Sequence, residues 1–378
     1  MDWIVFGDDW GVHPSTTQHL VRHLHRDDCV LWVDSIGMRA PQFRRADVLR
    51  IAKKLRSIAA PDTVSSIDVS GRHCFARLAP KVLPWHRRRT PRRINSRLLS
   101  RDIKRKLAIL GISRPPVLLS ATPVVAHYLD AVPHSRLCYL RLDDYTKFTG
   151  GDPKLVRESE ARMFDRCDVV FATARTLLPP GPAAAKAIYL PQGVDSEHFA
   201  RVPVEPPPAS RRTLGFFGLL DERVDYDLVR RVAAAAPDWQ LEFVGPVRLL
   251  PKDVEAMANV AVLPPVSFDD LPRAISHWSA AWIPYTVCDV TEGVNPLKVR
   301  EYLAAGLPTL STPLPEVAAL AEEVEIAITK EASDVVRWLE HTVANDSAAG
   351  RRKRRSSIEP HSWRQRAADL RRAVEELS

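Results

Sequence analysis

Short apolar runs alternate with longer amphipathic ones along the whole chain. In the first half "WIVFG" (3–7), "CVLWVD" (29–34), "PVLLSA" (116–121), "RLCYLRL" (136–142), "DVVFAT" (168–173) and "AIYLP" (187–191) have the length and β-branched content of buried strands. Helical spacing fills several of the gaps. In "STTQHLVRHLH" (15–25), Ser15 is suited to an N-cap and Leu20, Val21 and Leu24 fall on one face. The pattern breaks at "RVPVEPPPASRR", whose prolines predict a stiff linker over 201–211. A second series follows: "TLGFFG" (213–218), "LEFVG" (241–245), "VAVLPP" (260–265), "AAWIPY" (280–285) and "PTLST" (308–312). Strands alternating with helices predict parallel βαβ units. The expectation is an α/β protein of two Rossmann-like doubly wound domains, 1–200 and 212–361, facing across a cleft. An amphipathic helix is predicted over 362–378. Ligands of such sheets sit beyond the carboxyl ends of the strands.

Composition narrows this picture only a little. A chain of 378 residues is too long for one ordinary core, and no apolar run is long enough to span a bilayer. The start "MDWIVFGDDWG" lacks the basic and apolar regions of a secretory signal. Cys29, Cys74, Cys138, Cys167 and Cys288 are scattered, with no CxxC spacing. Reduced thiols in cytoplasm are therefore expected, with no zinc site or other metal. The net charge of +8 is local. Residues 87–106 carry eight Arg and two Lys against one Asp, and "RRKRR" (351–355) is a second basic run. The remainder is acidic.

The densest chemistry lies in "TEGVNPLKVREYLAAGLPTLST" (291–312). Asn295 is an N-cap candidate, Pro296 fits the first helical position and Gly306 is placed to end the helix. Helix-start N–H groups of Leu297 and Lys298, with the Lys298 ammonium, make an anion site. Glu301, about 9 Å further along the axis, is an acceptor-only carboxylate suited to two ribose hydroxyls. Spacing alone leaves a second reading open, a capped helix with a Lys298–Glu301 surface pair.

This segment resembles the donor-binding segment of family 4 glycosyltransferases. Other pieces fit in order: "YLPQGVDSEHF" (189–199), "GFFGLLDERVDYDLV" (215–229), the stretch from "LEFVGP" to "AAWIPY", and the terminal "HSWRQRAADL". The resemblance implies the GT-B fold, with the helix over 362–378 crossing back to the first domain. It assigns Glu301 to the donor ribose, the backbone of Gly293, Val294, Asn295, Pro296 and Leu297 with Lys298 to the diphosphate and sugar, and Pro265 and Val266 to the base. The glutamate pair of that family is eight positions apart, which from Glu301 reaches Gly293, so Glu292 is not carried over. Its usual diphosphate-clamping Arg and Lys have no obvious counterpart; Arg223 is the nearest.

In the first half, "FGDDWGVHPSTTQHL" sets Gly11, His13 and Ser15 between a strand and a helix. His13 is an acceptor-side candidate or a plain loop histidine. "RLDDYTKFTGG" (141–151) places Asp143 and Asp144 at a strand end, where a capping role and a catalytic one are equally open, with Asp144 favoured as cleft-facing. The basic stretch 85–106 has Leu98, Leu99, Ile103 and Leu107 among its arginines, as an amphipathic membrane-surface helix needs, with a solvated loop and helix as the other open reading. With only Trp85 as aromatic, nucleic acid is not expected.

The resemblance thus implies a retaining, metal-independent glycosyltransferase using a UDP- or GDP-linked sugar as cosubstrate, with no resident cofactor. The acceptor would be a glycan or lipid-linked hydroxyl, reached from the cytoplasm or the inner membrane face. Asp144, His13 and Lys298 are the catalytic candidates. A sugar-nucleotide epimerase of the same fold, or a non-catalytic lipid- or RNA-docking protein, are the alternatives.

Overall fold

The computed structural model describes residues 1–11, 14–24, 28–37, 68–70, 73–147, 152–208, 210 and 212–377. The chain divides into two compact units, Met1–Pro191 with Arg366–Ser378, and Gln192–Gln365. The division falls at Gln192, ahead of the proline-rich stretch, which belongs to the second unit.

The first unit holds an eight-stranded sheet ordered β3-β4-β2-β1-β5-β6-β7-β8. Its strands are β1 (Trp3–Phe6), β2 (Cys29–Val33), β3 (Asp68–Ser70), β4 (His73–Leu78), β5 (Val117–Ser120), β6 (Arg136–Arg141), β7 (Val169–Ala172) and β8 (Ala187–Tyr189). All neighbours are parallel except β3 with β4. Central strands are buried on both faces, which is why they read as unbroken apolar runs. The order reverses between β1 and β5, the switch point at which such sheets take ligands.

Two sequence expectations are corrected in this unit. Cys29 and Cys74 stand opposite each other in the β2–β4 register and form a disulfide, with Cα atoms 4.4 Å apart. Sequence distance hid a spatial pair. Cys138 and Cys167 are free and buried, and Cys288 in the second unit is free and exposed. The second correction concerns the basic helix Arg89–Ile109. Leu99, Ile103 and Leu107 are buried in the core of this unit, so they do not supply an apolar membrane face.

The second unit has a six-stranded, wholly parallel sheet ordered β11-β10-β9-β12-β13-β14. These strands are β9 (Thr213–Phe217), β10 (Gln240–Val244), β11 (Val260–Leu263), β12 (Ala280–Ile283), β13 (Thr309–Ser311) and β14 (Ala327–Ile328). Its switch point lies between β9 and β12. Gly215 of β9 lies beneath Trp278, whose ring would be 2.0 Å from an added Cβ. Trp278 in turn donates to Glu242 at 2.6 Å.

The run "RRKRR" is not a surface patch. Within the helix Ala348–Ile358, Arg351 and Arg354 are buried and share the buried Asp346. Arg355 donates to the carbonyls of Ala200, Val202 and Ala305. Only Arg352 and Lys353 are exposed. Removing Asp346 strands two buried guanidinium groups, so Asp346→Ala is expected to destabilise the unit by about 3–5 kcal/mol. Urea titration of the variant measures this.

Candidate functional site

The helix Leu297–Ala304 follows β12 and is positioned by both of its ends. Asn295 does not cap it. The cap position is Pro296, at φ −69 and ψ 122, without a side-chain cap. Asn295 is buried instead, accepting from Arg300 at 2.7 Å and donating to Glu316 at 3.4 Å. At the far end Gly306, at φ +82, turns the chain in the left-handed conformation that favours glycine. The loop leading in is pinned by Thr291, whose hydroxyl donates to the Thr286 carbonyl at 2.5 Å and accepts from Cys288 N–H at 3.0 Å. The first backbone N–H groups of the helix, those of Leu297 and Lys298, precede any intrahelical acceptor.

Two strand ends make room for Lys298. Gly218, just after β9, has φ +135, and an added Cβ would lie 2.2 Å from Lys298 Cε. Gly245, just after β10, has φ +149, and its Cβ would lie 2.2 Å from the Gly218 carbonyl oxygen. Lys298 therefore crosses bare backbone at the carboxyl edge of the sheet, with Nζ 5.8 Å from the centre of the Phe216 ring. Sequence reading passed over both glycines, although "GFFG" and "FVG" each end a strand in one.

Glu301 lies one turn on, on the face of Lys298. Among the described residues the two do not close an ion pair, and the Glu301 carboxylate has no hydrogen-bond donor. Burial pushes its acid up from an ordinary 4.5 to about 7, the Lys298 charge pulls it down, and Asp195 pushes it up further. Asp195 itself caps the short helix Ser196–Phe199 by accepting from His198 N–H. The surface-pair reading of this helix thus fails. A desolvated carboxylate and an ammonium stand side by side, each available to a ligand.

The remaining candidates of this unit take varied places. Arg223 is committed to the buried Asp221, donating from Nε at 3.0 Å and from the guanidinium end at 2.8 Å, and Arg248 donates to the same carboxylate. Arg223 also lies 5.5 Å above the ring of Tyr285. Pro265 and Val266 are exposed beyond β11. The loop carrying them is tied down by His198, which stacks on Phe268 at 4.2 Å and bonds its carbonyl through Nε2 at 2.9 Å. Gly293 and Val294 are half-buried and Glu292 is exposed. His198, Asp195 and Asp221 were not singled out from sequence, because their roles depend on contacts distant along the chain.

In the first unit, His13 lies outside the described residues. Gly11, at φ +82, donates its N–H to Gln18 at 3.1 Å. Asp8, beyond β1, accepts from Ser15 at 2.9 Å and Gln18 at 3.0 Å, and burial raises its acid. Asp144 accepts from the hydroxyl and N–H of Thr146 at 2.5 and 3.1 Å, with Lys147 3.7 Å away. Burial raises this acid, but the Thr146 hydrogen bonds outweigh it and leave the carboxyl below its ordinary value. Its geometry is that of a turn-capping carboxylate.

Two sheets wound in this way, each with its switch point, are the architecture of GT-B glycosyltransferases. Sucrose-phosphate synthase of Thermosynechococcus elongatus superposes with a TM-score of 0.67, at 12% identity, covering 100% of this chain and 98% of that one. HepE of Anabaena, in complex with UDP and glucose, superposes with a TM-score of 0.64, at 10% identity and 99% of each chain. At such identities the likeness establishes the GT-B fold. A family model described as glycosyl transferase-like matches residues 223–372, the stretch that carries Lys298 and Glu301. TuaH of Bacillus subtilis (strain 168), whose name places it among teichuronic acid biosynthesis glycosyltransferases, is 25% identical over 183 residues, or 44% of this chain. The match spans about half (46%) of TuaH.

Proposed function

We propose that the protein transfers a sugar from a nucleoside-diphosphate donor, UDP-linked in the first instance, to an acceptor hydroxyl with retention of configuration. The observation that carries this reading is the pair on the helix Leu297–Ala304. Glu301 is a half-buried carboxylate without a described partner, and Lys298 lies beside it across a glycine-floored strand edge. An ionised Glu301 accepts the two ribose hydroxyls, and the β-phosphate sits where the helix-start N–H groups and the ammonium converge. Exposed Pro265 and Val266 lie beside the base. During transfer, negative charge grows on the leaving diphosphate, and Lys298 with the helix start stabilises it; this is the electrostatic work of the site. Arg223, held by Asp221, is a reserve of positive charge rather than a free clamp. In this reading displacement takes place on the face the leaving group departs from, without a covalent intermediate. The acceptor, a glycan or lipid-linked hydroxyl, belongs to the first unit, where Asp8 and the 143–147 turn lie near the β1–β5 switch point.

The test is to incubate the protein with a panel of UDP- and GDP-sugars and follow nucleotide release with and without acceptor glycans. Acceptor-dependent release of UDP, with the product anomer matching the donor by NMR, supports the reading. Conversion of the donor to its epimer, or no turnover of any donor, contradicts it.

Cys288 offers an independent probe. Burial raises its thiol, but hydrogen bonds from Thr291 outweigh this and lower it, and the residue is exposed. Cys138 and Cys167 are buried, and burial raises both thiols, that of Cys167 to about 11. Iodoacetamide is expected to label Cys288 alone in the native protein, and saturating UDP to slow that labelling severalfold, as read by intact-mass spectrometry.

A further inference from the structure

We propose that the solvent face of the helix Arg89–Ile109 is a docking surface for an anionic lipid bilayer, working by charge rather than by insertion. On this helix Arg89, Arg93, Arg97, Arg101, Lys104 and Arg105 are exposed, at spacings of three and four that place them on one stripe. Arg87 and Arg88 extend the stripe at its start. Among the described residues, carboxylates within reach are few. Asp102 accepts from Arg101, and Asp152 and Glu158 stand 3.8 and 4.0 Å from Arg87. Arg89, Arg93, Arg97 and Lys104 enter no described hydrogen bond or ion pair.

The charge is also placed against the helix's own field. The first turn contains no acidic residue, and the cap position is Arg88, without a side-chain cap. Cations at a helix N-terminus are unfavourable, because that end already carries partial positive charge. A surface of external anions removes the conflict.

The shape and composition of the face favour a bilayer over other polyanions. The stripe runs about 30 Å at 1.5 Å per residue, along the exposed side of one helix. Its exposed apolar side chains are Trp85 (37%), Ile94 (40%) and Ile109 (48%), one at each end and one within the stripe. Such isolated apolar groups suit the headgroup layer. Single-stranded nucleic acid would want a series of aromatic stacking platforms, and this helix has none.

The helix also points its basic start toward the edge where the acceptor is proposed to bind. It joins β4 to β5, parallel strands of one sheet, so it begins at their carboxyl edge. His86, just before it, bonds the Ile36 carbonyl beyond the end of β2, and Arg92 bonds His127 beyond β5. A bilayer held by this face therefore lies next to the switch-point loops of the first unit. Delivery of a lipid-borne acceptor rests on the proposed glycosyl transfer; the docking itself does not.

The test is co-sedimentation with phosphatidylglycerol-containing and pure phosphatidylcholine vesicles at about 0.1 M salt. Wild type is expected to pellet with the anionic vesicles only, and to be released as salt rises toward 0.5 M. A variant with Arg89→Gln, Arg93→Gln, Arg97→Gln and Lys104→Gln is expected to lose binding by a hundredfold or more, at about fivefold per charge. Its melting temperature should be equal to or slightly above that of wild type, since cations leave the helix N-terminus, and it should keep its response to UDP. Wild type that stays in the supernatant, binding that the variant retains, or tighter binding to single-stranded RNA than to the vesicles would each overturn the proposal. If the variant does not fold, salt-insensitive pelleting of wild type overturns it equally. Because UDP binding is read separately, loss of one activity does not imply loss of the other.

Discussion

Glu301→Gln is expected to stabilise the ligand-free protein at pH 8 while removing its response to UDP. With its acid raised to about 7 by burial, Glu301 is protonated in the folded state at pH values where the unfolded chain, near 4.5, is already ionised. Stability from this residue is fully present below pH 4.5, declines as pH rises through the interval, and is lost above about 7. Glutamine mimics the protonated form and removes the loss. The raw shift corresponds to about 3 kcal/mol at 1.36 kcal/mol per unit, and partial exposure reduces that to about 1–2. In a domain of this size the melting temperature at pH 8 rises by roughly 3–8 °C, and the gain vanishes near pH 4.5. The same change replaces the double acceptor with a mixed donor and acceptor. Losing hydrogen bonds to a charged group, each worth about 1.5–3 kcal/mol, weakens UDP binding at least tenfold. Differential scanning fluorimetry across pH, with and without UDP, reads both effects. A carboxylate kept at a cost to stability is what a binding site requires and a surface helix does not.

Gly218→Ala is the second large effect, and it should part company with Gly245→Ala. At Gly218 the φ of +135 strains any L-residue, and the new Cβ meets the flexible end of Lys298. The fold loses about 1–3 kcal/mol for the backbone, while the ammonium is displaced from the diphosphate seat. Nucleotide release should fall by about a hundredfold, the scale of losing one preorganised charge contact. At Gly245 the new Cβ meets the backbone of Gly218 at 2.2 Å, not the end of a flexible side chain. There the melting temperature falls first, and activity falls with it. Equal losses of stability and activity in the two variants would show that Lys298 has no special position.

Much of this site was legible because it is local. "NPLKVRE" places a lysine and a glutamate on one helical face after a strand, and periodicity alone supplies both facts. The cap was misread by one residue, because the Asn295 side chain is drawn into the buried Arg300 and Glu316 instead of the helix start. In β4, Cys74, Ala76 and Leu78 alternate as buried residues, but Phe75 between them blurs the period-two pattern in the sequence. The Cys29–Cys74 bond follows once that strand is placed. What sequence could not give was the partner of each stripe. Leu99, Ile103 and Leu107 form a true apolar face, and only the packing shows that a protein core covers it. For the run "RRKRR", likewise, only the structure sets Asp346 against the arginines. The glycines that seat Lys298 act through distances to residues far along the chain.

The central claim is that Lys298 and Glu301 hold a nucleoside diphosphate. Isothermal titration calorimetry of UDP into the wild-type protein and into Lys298→Ala tests it most directly. Saturable binding at one site per chain, weakened at least tenfold in the variant, is the predicted result. No binding of UDP or GDP to wild type, or equal affinity in Lys298→Ala, would contradict it.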